Sequence, residues 1–546
     1  MALRGRMDID LDEGRIDAIF ADLDRCHCPG VAVGIAHHGR PIYRKAFGLA
    51  NGELPVLLTT ATRMRINSMT KQFTSFAYML LCEEGRAELD APISRYLPEL
   101  HPIAHRVTAR DLLGHVSGLR DVKDLCNQLS GTTRHISSSD MLAMYRDIDD
   151  VNFEPRTAWC YNNGGYLLLT AAIERIADLP FEEVMRERIF LPLGMYDTAV
   201  RRWDDDFSVN SATLHTATEY LWFEDVADRD RRSARFEKAY LNTASAGEGG
   251  MAASVDDILR WLAHWSTPGT GTTQAWQAMT SPQRLRNGSS TGYGLGLLIG
   301  EYRGIQTISH GGTGMGSNSQ LVRVPEAGLD VVVILNRDDV NGVLLANRVL
   351  DACLPRLKAP VESGAKSEPV SGSYRSEKTG RFIQLFARGH QQIVSINGID
   401  VPFEWDQDDS LVPSPVASIF KQRVILEGNQ SSPSAIRFID FGSEDVLPMA
   451  PQPPEKDTQE LAGKYVSEST ATEAFLSSSD GPLLRTEGKF GRAEFKLENL
   501  SEGVWRAKST STWPWGGLVT LSKASELLKL TTNRNWNLVF HRVAAN

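Results

Sequence analysis

At 546 residues, with 42% hydrophobic and 23% charged residues, the chain has a globular composition and is too long for one ordinary domain. A formal net charge of −10 argues against nucleic acid or an anionic membrane as a general partner. Residues 1–15 are charged and lack an apolar core, and no apolar run reaches the roughly 18 residues of a span, so a cytoplasmic chain outside the membrane is expected. Cys26, Cys28, Cys82, Cys126, Cys160 and Cys353 form no CxxC pair and no zinc spacing. Buried free thiols are expected, with no metal and no cofactor.

In chain order, Ile16, Ile19, Phe20 and Leu23 predict an opening helix within 9–26, ended by Pro29-Gly30. Residues 31–36 predict a buried strand, and 42–49 its hairpin return after His38-Gly39-Arg40. A long apolar run over 68–84 predicts a helix, and 109–115 a short one. Residues 151–163 read as a loop, followed by helices over 165–177 and about 181–190. Residues 201–240 are too polar to assign. Ser254 caps a helix reaching Trp265. Four runs, 293–299, 306–309, 320–324 and 329–336, predict consecutive strands, and a helix over about 343–354 follows. Helices placed before and after antiparallel strands predict an α+β layered domain.

A linker rich in Pro, Ser, Gly and Lys lies at 359–369, and a second, with Pro451 and Pro453-Pro454, at 448–458. The β-rich segments after them share a start, Gly372-Ser373-Tyr374-Arg375-Ser376-Glu377 against Gly463-Lys464-Tyr465-Val466-Ser467-Glu468. That repeat predicts two copies of a small antiparallel barrel or sandwich. The expected division is a first domain at 1–358, then barrels at 370–449 and 458–546.

The chemistry centres on Ser68-Met69-Thr70-Lys71. On a helix, Ser68 and Lys71 share nearly one face. A lysine kept neutral by burial and neighbouring cations can take the proton of a serine hydroxyl. Chance predicts on the order of one or two Ser-x-x-Lys spacings in a chain this long. Ser363–Lys366 and Ser418–Lys421 are read as such accidents, since neither opens a long helix. Two companions set the motif at 68 apart: Tyr161-Asn162-Asn163 before an apolar helix, and His310-Gly311-Gly312-Thr313 beside a strand. Lys378-Thr379-Gly380 and His37-His38-Gly39 are decoys, read as hairpin turns, and Tyr240-Leu241-Asn242 lacks a following helix.

In order and rough spacing the three motifs resemble the signatures of the penicillin-recognising, β-lactamase-like serine hydrolases, whose Ser-x-x-Lys the chain carries. Leu112-Leu113-Gly114-His115-Val116-Ser117-Gly118-Leu119 and Arg188-Ile189-Phe190-Leu191-Pro192-Leu193-Gly194-Met195 resemble further family segments. The resemblance spans about residues 10–355, and with two barrels behind it the layout is most similar to the three-domain D-aminopeptidases.

The resemblance implies that Ser68 attacks an amide or ester carbonyl, while Lys71 and Tyr161 share proton transfer with both pKa values drawn down by nearby cations. Which of the two is the base stays open. Asn163 is implied to hold Lys71 and a substrate amide, and His310 to bond Tyr161 or a substrate carboxylate. Gly311 and Gly312 let backbone approach substrate, and backbone N–H groups of Ser68 and Thr313 are implied as the oxyanion hole. A loop of the last barrel is implied over the site, with Glu494 the candidate partner of a substrate ammonium. The expected function is hydrolysis of small peptides or amides, with D- or unusual residues, linearised cyanobacterial peptides among the options. An esterase or weak β-lactamase is the enzymatic alternative, and a non-catalytic peptide or wall-fragment binder the alternative of another class. A homodimer is compatible with this reading.

Overall fold

A computed structural model describes residues 8–130, 135–217, 235–241, 243–267, 270–358, 369–417, 419–429, 432–453, 462–477, 481–489, 491–510, 517–521 and 526–544. Most of the first linker, residues 454–458 of the second, part of the 201–240 stretch, Asn242, and the Ser363–Lys366 and Ser418 positions fall outside these residues.

The first region is built on a six-stranded antiparallel sheet. Its order is Leu298–Tyr302, Ile305–Gly314, Ser317–Val324, Leu329–Leu335, Val31–His37 and Arg40–Phe47, so the first strand of the chain lies against the last of the sheet run. Helices cover both faces, which explains why residues 31–36 and 331–335 are apolar without alternation. On Val31–His37, Ala32 and Ala36 face the core of Thr70–Glu83, Asn163–Ala177 and Val255–Ser266. Val31, Val33 and Ile35 face the smaller core under Glu13–Phe20 and Gly342–Cys353.

Two eight-stranded antiparallel sheets follow, each with its strands in sequence order. The first runs from Gly372–Arg375 to Ser443–Pro448, and a bridge between Tyr374 and Met449 brings its ends together. The second is a closed barrel from Gly463–Ser467 to Leu538–Arg542, joined through Tyr465 and Arg542. The repeated Gly-x-Tyr opens the first strand of each, and both tyrosines are wholly buried.

The expected helices and strands are present with shifted ends, and Lys378-Thr379-Gly380 and His38-Gly39 lie in hairpin turns. One strand is displaced, forming at Leu298–Tyr302 rather than over 293–299. Tyr293, Leu295 and Leu297 are apolar because they are buried in a loop, and Gly296 with φ of 77° breaks the extended backbone there. Helices Val122–Ser130, Ser138–Met144 and Thr273–Met279 are additional to those expected. All six cysteines are free, with Cys28, Cys126, Cys160 and Cys353 buried as expected, Cys82 half-buried and Cys26 exposed. Among the described residues no helix is long and apolar enough to cross a membrane.

Candidate active site

Three separate stretches meet at Ser68. The serine lies on a single 3-10 turn, Asn67–Met69, that leads directly into the helix Thr70–Glu83. Asn67 holds a left-handed φ of 47°, and its side-chain amide donates to Ser317 Oγ at 2.8 Å. The strand Ile305–Gly314 runs beside this turn so closely that a Cβ on Gly312 would sit 2.0 Å from the Ile66 carbonyl oxygen. Only glycine permits that approach. The Ser319 hydroxyl donates to the same carbonyl at 2.8 Å. The nucleophile candidate is therefore clamped by the sheet edge, while Ser68 itself stays partly exposed.

Lys71 is wholly buried one turn on. Its Nζ lies 3.2 Å from Ser68 Oγ, 2.8 Å from Asn163 Oδ1 and 2.6 Å from the Glu248 carbonyl oxygen. Two of those three partners can only accept. A neutral amine has two N–H groups and one lone pair, so it satisfies both acceptors and leaves the lone pair for the Ser68 hydroxyl proton. Burial holds Lys71 well below the ordinary ammonium pKa; Glu248 opposes this, and Arg534 adds to it.

Asn163 opens the helix Asn163–Ala177, with Asn162 as its cap accepting from Gly165 N at 2.8 Å. The Asp121 carboxylate takes the Asn163 and Gly164 N–H groups, both at 2.9 Å, placing a negative charge at the helix start. Tyr161, two residues earlier, has its phenol beside the Ser68 hydroxyl, which draws the phenol pKa down. Lys71 Nζ stands 4.7 Å from the Tyr161 ring centroid. Burial pushes the Tyr161 phenol well up; the Ser68 hydroxyl and the Arg534 charge pull it back only in part. Here the expectation needs correcting: the cations do not draw both groups down. The amine is depressed, mainly by burial, and the same burial raises the phenol because its charged form is the one that desolvation penalises.

His310 is buried in the sheet and faces Tyr293 rather than Tyr161. Its Nδ1–H donates to the Gly311 carbonyl at 2.6 Å, and Nε2 accepts from the Tyr293 hydroxyl at 2.9 Å. Burial, with Lys71 beside it, pushes the imidazole pKa down to about 3. Both ring nitrogens are engaged and the group is neutral. Gly311, Thr313 and Gly314 are partly exposed along the edge that faces the 3-10 turn. Glu494 lies on the barrel strand Gly491–Ser501 opposite Arg485, and among the described residues no hydrogen bond joins it to the group around Ser68.

Four residues to which the sequence reading gave no role in the site, one of them (His115) within a quoted family-like stretch, belong to the same cluster. His115 packs its ring 4.3 Å from that of Tyr161, and its Nδ1 accepts from Asn162 N at 3.1 Å. Glu248 forms a buried ion pair with Lys123 at 2.6 Å. Burial alone would raise the Glu248 carboxyl, but Lys123 outweighs it and keeps the group below its usual range, hence charged. That pair fixes the turn whose carbonyl orients Lys71. Arg534, from the last barrel, stacks its guanidinium 5.2 Å from the Tyr161 ring centroid. The hydrophobic spacing Val122, Leu125, Cys126, Leu129 behind Asp121 could have revealed the helix that carries Lys123. Nothing local marks Arg534 in the polar turn 532–537.

The beta-lactamase family pattern matches residues 16–354. The D-aminopeptidase of Brucella melitensis biotype 2 (strain ATCC 23457) is 23% identical over 531 residues, covering 95% of this chain and 92% of its own. That of Gluconobacter oxydans (strain 621H) is 25% identical over 516 residues, covering 91% of each. Among solved structures, the octameric penicillin-binding protein homologue from Pyrococcus abyssi superposes with a TM-score of 0.54 at 19% identity, over 89% of this chain and 100% of its own. The D-amino acid amidase from Ochrobactrum anthropi SV3, complexed with D-phenylalanine, gives 0.52 at 24% identity, over 62% of this chain and 98% of its own. The two solved structures share the fold built above, and the matched family pattern takes in Ser68, Lys71, Tyr161, Asn163 and His310. The chain belongs to the beta-lactamase family.

Proposed function

We propose that Ser68 is the nucleophile through which this serine hydrolase opens amide bonds of small peptides, with an acyl-enzyme as intermediate. The observation that carries the reading is the set of three contacts around Lys71 Nζ, two from acceptors and one from Ser68 Oγ. Lys71 acts as the base: its neutral amine takes the Ser68 proton as Oγ adds to the carbonyl carbon. Tyr161, kept protonated by burial, passes a proton to the leaving amine and recovers one from Lys71. Water then repeats the sequence on the ester, returning Ser68 Oγ–H and releasing the acid. The backbone N–H groups of Ser68 and Thr313 stabilise the oxyanion, a contribution of roughly 10²–10³ in rate per donor in comparable sites. Gly311 and Gly312 line the substrate edge, Asn163 orients Lys71, and His310 serves as a neutral brace through Tyr293. Residues 1–358 form the catalytic unit in this reading, with barrels at 370–449 and 458–546.

Likeness to proteins named D-aminopeptidase supports substrates with an amino-terminal D-residue for this chain. Hydrolysis of D-alanine p-nitroanilide, compared with its L-counterpart and with p-nitrophenyl esters, separates a peptidase from an esterase. A fluorophosphonate is expected to label wild-type protein at Ser68, with Ser68→Ala neither labelled nor active. Undiminished turnover in Ser68→Ala would remove the proposal. Glu494→Gln tests the ammonium partner: if the carboxylate reaches the substrate amine, KM rises for free-amine substrates and not for N-blocked esters.

A further inference from the structure

The turn that joins the last two strands of the closed barrel, Leu527–Thr531 and Leu538–Arg542, does not end at the barrel. It is keyed into the first region on both sides of residue 534. The Thr532 hydroxyl and the Asn535 amide donate to Asp124 Oδ2 at 2.6 and 2.8 Å. Asp121 N donates to Asn535 Oδ1 at 3.0 Å. Asn152 bonds the Arg534 carbonyl at 2.7 Å and the Trp536 N–H at 2.9 Å, and Arg120 donates to the Trp536 carbonyl at 2.5 Å. The backbone at 534 is thus fixed within the site by a network that leaves the side chain out.

The Arg534 side chain is differently placed from every other cation near Ser68. Lys71 has three close partners, and Lys123 is paired with Glu248. The His310 imidazole is neutral and bonded at both nitrogens. Arg534 has only a loose approach to Asp121 Oδ2, at 3.7 Å, and its face contact with Tyr161. That Asp121 oxygen already accepts from Asn163 N at 2.9 Å. Asp121 is wholly buried, yet 34% of the Arg534 side chain is exposed. Among the described residues no group closes a hydrogen bond with the guanidinium. A planar fork of five N–H donors, held over the Tyr161 ring beside Ser68 and still partly open, has the geometry that binds a carboxylate through two parallel hydrogen bonds.

We propose that Arg534 is a substrate-binding residue for a free carboxylate near the scissile bond, so that the preferred substrates are small peptides carrying a terminal or side-chain carboxylate there. This rests on the reading of Ser68 as the reacting centre, and it moves the anion-binding role expected of His310 to a different domain of the chain.

The test uses the full-length protein and trialanine as its free acid and its C-terminal amide, in all-D and all-L series. Binding is measured by calorimetry in the Ser68→Ala protein, so that no turnover is needed. The acid is expected to bind at least about tenfold more tightly than the amide, with the preference lost in Ser68→Ala/Arg534→Ala and partly kept in Ser68→Ala/Arg534→Lys, where a point charge replaces the fork. Arg534→Gln provides a second neutral variant, and its circular dichroism and melting curve establish folding. Equal affinity for acid and amide in Ser68→Ala, or an acid preference that survives Arg534→Ala and Arg534→Gln, overturns the inference. The fluorophosphonate experiment on wild-type protein reports separately on Ser68, so the two readings fail in distinguishable ways.

Discussion

The two C-terminal barrels share strand count, strand order and an opening Gly-x-Tyr, yet they serve the site in opposite ways. The first keeps its own core, made of residues such as Tyr374, Val394, Phe403 and Phe438, separate from the core under the six-stranded sheet. It reaches the site through a neutral contact: Phe441 stacks on Trp159 with ring centroids 3.7 Å apart, and Ser443 Oγ accepts from Trp159 N at 2.7 Å. The last barrel shares a continuous core with the first region, in which Leu484, Phe495 and Phe540 join the residues packed around Val122–Ser130. It also brings charge and hydrogen-bonding groups, through Arg534 and Asn535. Both converge on the loop 159–163 that carries Tyr161. A fold that repeats does not fix what it does. One copy acts as an apolar buttress behind the loop and the other as a polar clasp across it.

The largest effects should come from the cores. Phe438→Ala and Phe540→Ala each remove a wholly buried ring, which costs about 3–5 kcal/mol. The difference lies in where the loss is felt. Phe540→Ala is expected to raise amide hydrogen exchange in the helix Val122–Ser130 as well as in its own barrel. Phe438→Ala is expected to leave that helix protected. Equal exchange in the helix for both variants would break the comparison.

Next comes the clasp. Asn535→Ala removes bonds to Asp121 N, Asp121 O and Asp124 Oδ2. Leaving such buried groups short of a partner costs about 1–3 kcal/mol. Because Asp121 also holds the Asn163 N–H, and Asn163 accepts from Lys71, kcat is expected to fall along with stability. A stability loss with kcat unchanged would mean that the clasp holds the barrel alone. Phe441→Ala tests the buttress. Beyond its buried area, the stack on Trp159 is worth about 0.5–1.5 kcal/mol, so a fall in kcat of roughly two- to tenfold is expected as the Tyr161 loop loosens. No change in kcat would leave Phe441 a packing residue with no bearing on the loop.

The sequence carries the motif residues far better than their surroundings. Ser68, Lys71, Tyr161 and Asn163 can be picked out because their chemistry is bound to local spacing, a turn before an apolar helix in both cases. The Ser254 cap, the apolar run of Val31–His37 and the tyrosine repeat of the barrels are equally local signals. Arg534 has no such mark. Its role arises from a barrel turn docking on Asp121 and Asn152, more than 380 residues away in sequence. Glu248 and Lys123 are invisible for the same reason, since neither reports alone that the other will neutralise it in the core. The direction of the Tyr161 shift was also out of reach: proximity to cations is legible, but depth of burial is not, and burial decides the sign.

The smallest expected effect separates the neutral side from the charged one by pH. His310, Tyr293 and Trp159 lie on the buttressed side, and burial holds His310 at a pKa of about 3 against an ordinary value near 6.5. Between those values the unfolded chain binds a proton that the folded chain refuses. Folding stability from this group is therefore fully present above pH 6.5 and is lost as pH falls from there towards 3. His310→Gln keeps a neutral hydrogen-bonding side chain and removes the titration, so urea midpoints should fall less steeply between pH 7 and 4.5 than in wild type. Activity should carry no inflection near pH 6.5 from this residue, and its imidazole resonances should not move between pH 5 and 8. A His310 midpoint near 6 would place a titrating charge on the side described here as neutral, and the division of labour between the two barrels would have to be redrawn around it.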